Sequence, residues 1–496
     1  MKTKLAVAGI ALLNACAAFH ASAQKYKTEI PPGLTIPESV DTPIGALKFT
    51  DGFPDDATAQ KVYDNLDLQR GVLAFLNTMP AASLSAMRKG LHNVGADNGT
   101  VTIYETLMDS RSLFLTANTE SIYTSTWLDL KDGPLVVETP PNVLGFVDDF
   151  WFHYVIDVGN AGPDKGKGGK FLLLPPGYKG EIPKGYFVAH SPTYGNWFIL
   201  RGFVENGDPK PGVEGIKKHL RIYPLAKAAK PPETKFIDIS GKEINTIHAT
   251  DFTFFEEVNE VVQEEPAEAI DPETLGLLAS IGIEKGKPFA PDERMKKILT
   301  DAANIGNATA RAMLFRNRDK SIALYPGSSW EQMPPTYTFE KNGARLLDTR
   351  TCMFFYATGI TPAMTLKMTG AGSQYAFAFT DSNQQPLDGG KNYKVHLPPH
   401  IPMKNFWSFV LYDNQTRSML QTDEQFPSIG SQKKGVVSNV DDSVDVYFGP
   451  QAPAGKEGNW VQTVPGKGWN TIFRLYGPLE PWFDKTWKLG EIEEVK

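Results

Sequence analysis

Cysteine is almost absent from this chain. Among 496 residues there are two, Cys16 and Cys352. Cys16 lies within residues 1–23, which read as a secretory leader. Lys2 and Lys4 give a basic start, residues 5–13 are apolar, and Ala21-Ser22-Ala23 is a small-x-small cleavage site before Gln24. This run is too short and wrongly flanked for a stable membrane span. Cleavage after Ala23 leaves Cys352 alone, so no intramolecular disulfide can form even in an oxidising compartment. Stability must then come from core burial, and 473 residues are enough for two or three domains. Cys352 sits in the apolar run Thr-Cys-Met-Phe-Phe-Tyr and reads as a buried, inert thiol. A second reading of the leader stays open. Leu13-Asn14-Ala15-Cys16 resembles a lipobox, which would acylate Cys16 and tether the protein to a membrane. The expected location is periplasmic or secreted, with a lipid-anchored envelope protein as the alternative.

Positive charge is also scarce. Without Lys2 and Lys4 the chain has 48 basic against 57 acidic residues, a net charge of −9. No basic cluster stands out beyond the glycine-rich loop 165–170, which argues against a nucleic-acid partner. No later apolar run approaches the roughly 18 residues that a transmembrane span needs. His-Glu-x-x-His, Gly-x-Ser-x-Gly, a P-loop, Cys-x-x-Cys and a Gly-x-Gly-x-x-Gly in a βαβ setting are all missing. ATP-dependent, Rossmann and α/β-hydrolase chemistry are therefore disfavoured.

What is abundant is short aromatic and β-branched runs. Residues 24–100 read as an extended segment followed by helices. Val62, Leu66, Val72, Leu76 and Met79 recur at helical spacing after Asp55-Asp56 and up to Pro80, and a second short helix is expected from Ser83 towards Leu91. From Val101 the pattern becomes short strands separated by Gly, Pro, Asn and Asp, the signature of an antiparallel sandwich or barrel. Residues 236–324 read as a linker and a helical module, with helices near 252–262, 272–281 and 292–315. From Tyr325 the β pattern returns. The expected fold is mainly β with a helical module: N-terminal helices, a first β-sandwich over 101–235 and a second over 325–496, both jelly-roll-like.

The two β regions read as copies of one unit. Pro-Pro leads to Phe150-Trp151 and on to Asp157 in one, and to Phe406-Trp407 and Asp413 in the other. Upstream, Tyr123 matches Tyr375. Downstream, Arg201 matches Arg474, each on an otherwise apolar strand. These three ordered matches point to duplication.

The C-terminal half resembles the bacterial domain of unknown function 1214. The residues that carry this are Phe406-Trp407-Ser408 through Tyr412-Asp413, Asn439 through Tyr447, Gly458-Asn459-Trp460, and Phe473-Arg474-Leu-Tyr476-Gly-Pro. The N-terminal half resembles its usual fused partner, domain of unknown function 1254, through Thr116-Ala-Asn118-Thr-Glu120-Ser-Ile-Tyr123, Trp127-Leu-Asp129-Leu and the segment 134–140. The family usually has Asp-Gly-Ser where this chain has Asp441-Asp442-Ser443. The resemblance implies a periplasmic or envelope protein of two β domains and no settled activity.

An Arg on an apolar strand cannot be buried without an acceptor, because lost hydration costs several kcal/mol. Arg201 and Arg474 therefore either pair with Asp157 and Asp413, one ion pair per domain, or face a cleft and grip an anion. His153 and Asp157 are four apart on an expected strand and so share a face. With His190 they could make a His-His-carboxylate site, but a satisfied core or surface histidine beside aromatics is the favoured reading of His153. The run Asn439 to Asp445 could hold calcium or be an Asp-rich hairpin turn. No metal site is assigned, and a metal-ion cofactor stays open.

Two functional readings follow. In the first, an exported hydrolase cleaves an ester-like or glycosidic bond, with Glu120 and His153 handling protons and Arg474 the developing negative charge. Asn118, Tyr123, Trp127, Trp407 and Arg201 would then bind the substrate. In the second, the protein binds a small molecule, lipid, glycan or protein through an aromatic groove without catalysis. Oligomeric state, including a homo-oligomer, is open.

Overall fold

The computed structural model describes residues 26–334 and 336–495. The leader, its cleavage site and Cys16 lie outside the described residues. The chain divides into two compact units, residues 1–65 and 66–496. In the first, strands Ser39–Thr42, Gly45–Thr50 and Phe53–Pro54 form an antiparallel meander. Helix α1 (Asp56–Asn77) follows, and Asp55 caps it by accepting from the Thr58 amide at 2.7 Å.

The rest of the chain, including α1 from Leu66 onward, belongs to the second unit. Helix α2 (Met79–Asn93) starts four residues earlier than expected from the sequence. Pro80 stands in its first turn, where a missing N–H leaves no bond unmade, so it opens this helix rather than merely ending the one before. Helix α3 (Lys210–His219) was not expected. Helices α4 (Thr253–Glu264), α5 (Pro272–Ala279) and α6 (Glu293–Phe315) lie where the apolar spacing puts them. Asp271 and Asp292 cap the last two by accepting from the amides of Thr274 and Met295. Helix α7 (Leu347–Tyr356) corrects the expectation of continuous β structure after Tyr325. Its buried residues pack into a core between sheets, and that tertiary demand overrides the local preference of an aromatic run. Burial pushes the Cys352 thiol up to about 12, consistent with an inert residue. A short helix, α8 (Pro362–Thr365), follows.

In chain order the first sandwich comprises β1 (Thr100–Ile103), β2 (Ser121–Asp129), β3 (Leu135–Thr139), β4 (Val143–Asp149), β5 (Tyr154–Gly159), β6 (Gly169–Leu174), β7 (Phe187–His190), β8 (Gly195–Phe203), β9 (Arg221–Pro224) and β10 (Lys235–Asp238). The second comprises β11 (Trp330–Glu331), β12 (Ser373–Ala378), β13 (Asn392–Leu397), β14 (Met403–Asp413), β15 (Ser428–Gly430), β16 (Val444–Gly449), β17 (Trp460–Gln462), β18 (Trp469–Pro478) and β19 (Ile492–Val495). The front sheet of the first runs β10-β1-β2-β8-β4-β5 and its back sheet β7-β6-β3-β9. The second has β11-β12-β18-β14-β15 in front and β17-β16-β13-β19 behind. Strand for strand the order is the same, with β10 the only addition. The sandwiches are not wholly antiparallel, as the strand pattern alone suggested. β6 with β7, β16 with β17, and β1 with β10 pair in parallel. The Pro- and Gly-rich segments 175–186 and 450–459 supply the crossovers that the first two pairings need.

Three large apolar cores result among the described residues, beside a small fourth cluster of Val136, Leu172, Leu174 and Tyr223 on the back sheet of the first sandwich. One fills each sandwich. The third lies between the two front sheets and includes residues of α2, α4, α6 and α7. The helical elements thus help to bury the faces by which the two sandwiches meet.

Candidate functional site

Within this middle layer the two front sheets leave a pocket. It contains about 750 Å3 of space free of protein atoms, counting solvent at its mouth. Alternation along the strands decides what reaches it. On β8, Trp197, Ile199 and Arg201 point inward; on β18, Ile472 and Arg474 do. Tyr123 from β2, Phe146 from β4, and Tyr375 and Phe377 from β12 complete the two sheet faces.

Register shows how closely the faces correspond. Arg201 sits opposite Tyr123 on one side and Leu144 on the other. Arg474 sits opposite Tyr375 and Ser408. The pairs Arg201 and Arg474, Ile199 and Ile472, and Tyr123 and Tyr375 therefore occupy equivalent positions, and all six residues line one pocket. The same register corrects part of the sequence comparison. Leu144 is equivalent to Ser408, so Asp413 corresponds to Asp149 rather than Asp157. Phe150-Trp151 lies beyond the end of β4, whereas Phe406-Trp407 lies inside β14. The two Phe-Trp pairs are not equivalent.

Loops close the pocket. Phe114, Leu115, Thr116 and Asn118 come from the segment before β2, and Thr116 takes a left-handed φ of 46°. Met353, Ala357, Thr358, Met364 and Thr365 come from the end of α7 through α8, and Met333 from the segment after β11. Gly359 (φ 81°) lets the loop press onto the first sheet, since a Cβ there would stand 2.5 Å from the Phe146 ring. The Ile360 amide donates to Asp148 Oδ2 at 2.8 Å, and the Thr361 hydroxyl donates to Asp157 Oδ1. Burial pushes the Asp157 carboxyl up to about 6.

The polar end of the pocket is built from guanidinium and phenol groups. Arg474 Nη2 donates to the Thr116 carbonyl at 2.6 Å. Its guanidinium lies 5.6 Å from the Tyr412 ring centre and 5.8 Å from that of Tyr375. Asn118 Nδ2 donates to the Tyr476 hydroxyl at 2.5 Å, and the Tyr412 hydroxyl donates to the Ala117 carbonyl at 2.5 Å. The Asn118 amide donates to the Tyr123 hydroxyl at 3.3 Å. Arg201 meets the hydroxyl of Tyr375, from the opposite sandwich. Burial opposes the charge on both arginines, neutral phenol oxygens face them, and both stay protonated because a guanidinium does not give up its proton in a protein.

The ion pairs that would have made both arginines structural do not form. Asp413 pairs with Lys467 at 2.5 Å. Asp157 is bonded to Thr361 and, by its own amide, to the Tyr154 hydroxyl. Of the other residues singled out by sequence, Asn118 and Tyr123 reach the pocket with the two arginines. Glu120 turns into a separate cavity lined by Thr119, Ser428 and Lys433, where it accepts from the Thr119 hydroxyl at 2.7 Å. Burial raises its pKa, while Thr119 and the charge of Arg474 pull the other way.

His153 lines a third, half-exposed groove with Arg345 and Arg350, and its Nδ1 lies 2.9 Å from Asp149 Oδ2. Burial lowers its pKa, Asp149 raises it, and the net direction is up. It therefore does not join Asp157 and His190 in a ligand set. Among the described residues no group of three or more His, Cys, Asp and Glu is placed to hold a metal ion. Trp127 packs on Phe150 beneath Arg88, and Trp407 fills the core of the second sandwich. Neither reaches the pocket. Asp441 accepts from the Ser443 amide and hydroxyl, so this acidic run is a turn, although the strands on either side, β15 and β16, lie in different sheets and form no hairpin. Asp442 takes φ 64° there, the conformation for which the family's usual Gly is suited.

Sequence reasoning missed the methionines, Phe114 and the phenols of Tyr412 and Tyr476. Tyr412 and Tyr476 stand in motifs already noted, and Tyr476 is two residues from Arg474, on the same strand face. The methionines come from segments outside the strands that correspond between the sandwiches and carried no signal.

Residues 99–224 match a family model described as protein of unknown function DUF1254, and residues 372–480 match one described as protein of unknown function DUF1214. No curated protein matches the chain. Among solved structures it is similar to the VPA0106 protein from Vibrio parahaemolyticus, at 18% identity and a TM-score of 0.55, over 87% of this chain and 100% of that one. An uncharacterised protein from Burkholderia cenocepacia aligns at 12% identity and a TM-score of 0.37, over 88% of this chain and 96% of that one. The likeness to the Vibrio protein concerns fold alone.

Proposed function

For a chain that carries a DUF1254 region followed by a DUF1214 region, we propose a small-molecule binding protein whose site lies between two duplicated, jelly-roll-like sandwiches. One observation carries this reading. The pocket is lined by aromatic rings, methionines, isoleucines and leucine, with Arg, Tyr, Thr and Asn as its polar groups, and among the described residues no carboxylate, imidazole, serine or thiol lines it. That composition suits retention of an apolar molecule. Hydrolysis by side-chain acid–base catalysis asks for a proton-transferring pair within reach of one substrate. Glu120 and His153, the candidates for that work, line two other cavities. The hydrolytic reading therefore ranks second.

Duplication is supported by the common strand order and by three equivalent residue pairs around one pocket. Export to the periplasm or the cell exterior is supported by the basic, apolar and small-residue pattern of residues 1–23.

The test uses N-phenyl-1-naphthylamine, a neutral probe that fluoresces in apolar surroundings. We expect saturable binding of about one probe per chain, with affinity in the micromolar range. Filling the pocket with Ala357→Phe should abolish the signal while thermal unfolding stays cooperative. A panel of carboxylate, phosphate and sulfate esters and glycosides should show no turnover. Turnover that depends on pocket residues would replace this reading with the hydrolytic one.

A further inference from the structure

Arg474 is 3% exposed, and its Nη1 has no hydrogen-bond partner. Arg201 is also buried; phenol oxygens surround it, and Asp157 acts on it through its charge without forming an ion pair. Among the described residues no carboxylate lies within 4 Å of either guanidinium. Two like charges thus share one secluded space with no anion in contact; Asp157 and Glu120 act on them only from a distance. Desolvating each costs several kcal/mol, and their mutual repulsion adds to that. The nearest acids are engaged elsewhere: Asp413 with Lys467, Asp157 with Thr361, Glu120 with Thr119. At the same cavity the hydroxyls of Thr358 and Thr365 are buried without partners. The remaining wall is apolar.

From this arrangement we propose that the ligand is an amphipathic oxyanion, its carboxylate or phosphate head held between Arg201 and Arg474 and its apolar body lying along Trp197, Ile199, Phe377 and Met364. Guanidinium groups grip either head in bidentate fashion, and each sandwich contributes one from the same strand position. The unpartnered donors are then satisfied only when the head is in place. This inference rests on the reading of the pocket as a binding site and adds the chemical class of what it binds.

The experiment is calorimetric titration of the delipidated full chain with decanoate, decyl phosphate, decanol and decyltrimethylammonium. At least one anion should bind about 30-fold or more tightly than decanol, and the cation should be excluded. A preference for decyl phosphate would identify a dianionic head, and a preference for decanoate a carboxylate. Arg474→Gln and Arg201→Gln should each weaken the anion about 10-fold or more and leave decanol unchanged. If either variant fails to fold, the anion, alcohol and cation series on the unaltered protein decides alone. Equal binding of anion and alcohol would overturn the oxyanion and leave the apolar pocket standing. No binding by any of the four would overturn both.

Discussion

At the end of β4, Asp149 is fully buried, and its Oδ2 is held by His153. At the equivalent end of β14, Asp413 is held by Lys467. Both carboxylates also accept from the backbone of the turn they begin, Asp149 from the amides of Trp151 and His153 and Asp413 from those of Gln415 and Thr416. One residue earlier the two sandwiches differ. Asp148 in the first sandwich stands where Tyr412 stands in the second, and its carboxyl holds the loop after α7 through the Ile360 amide. The strand frame and its turn-capping acid are common to both. What projects from the same face into the shared layer differs, one side holding the loop and the other ringing the arginines with phenols. Backbone demands thus held positions fixed, while the pocket drew on whichever side chains the facing sheets could bring together.

The largest expected effect tests the common part. Asp149→Ala strips two buried amides of their acceptor and should cost about 3–4 kcal/mol of stability. Asp413→Ala should cost about 2 kcal/mol, because its side chain is 10% exposed and water can reach the freed amides. Denaturant unfolding of the two variants checks the order. Equal losses would mean that the turn matters and burial does not.

Next comes a difference of sign. The Asp157 carboxyl is raised to about 6, against an unfolded value near 4. A raised acid contributes stability that is fully present below its unfolded pKa and is lost as pH rises through the folded one. The first sandwich should therefore lose on the order of 2 kcal/mol between about pH 4 and pH 7 on account of this group. Asp413 is lowered overall, its burial outweighed by the hydrogen bond and charge of Lys467. Its contribution is present above the unfolded pKa and lost as pH falls through the lower folded value. Asp157→Asn should flatten the stability profile between pH 4 and 7, and Asp413→Asn should flatten it only below about pH 4. Identical profiles for the two variants would dissolve the contrast.

Much of this frame was legible in the sequence. Tyr123 and Tyr375, and Arg201 and Arg474, matched correctly because strand spacing around a buried Arg is hard to vary. Phe-Trp matched falsely. Aromatic dipeptides recur wherever a chain meets an apolar core, so Phe150-Trp151 and Phe406-Trp407 agreed in composition while standing in different registers. Glu120 illustrates a further limit. It is two residues from Asn118 in the chain, yet Asn118 faces the pocket and Glu120 a neighbouring cavity. That two distant strands would bring their arginines into one space depends on how two sheets dock, and no local pattern encodes docking.

The smallest expected effect separates the arginines themselves. Arg474 does structural work, since its Nη2 bonds the Thr116 carbonyl of a loop whose backbone is already strained at φ 46°. Arg201 meets phenol oxygens, and the one acid of its own sheet whose charge is felt there, Asp157, makes no ion pair with it and is bonded to Thr361. Replacing a buried, unpaired cation by an apolar residue of similar length removes its desolvation cost. In ligand-free protein Arg201→Met should therefore stabilise the fold by about 1 kcal/mol, measured by denaturant unfolding. Arg474→Met should be neutral or lose a few tenths, because relief of the charge is offset by an orphaned carbonyl. A gain at position 201 would mark an arginine kept against the interest of stability, which is the expected signature of a residue retained for a ligand. Loss at both positions would make the two arginines equally structural, and would weaken the case that either waits for an anion.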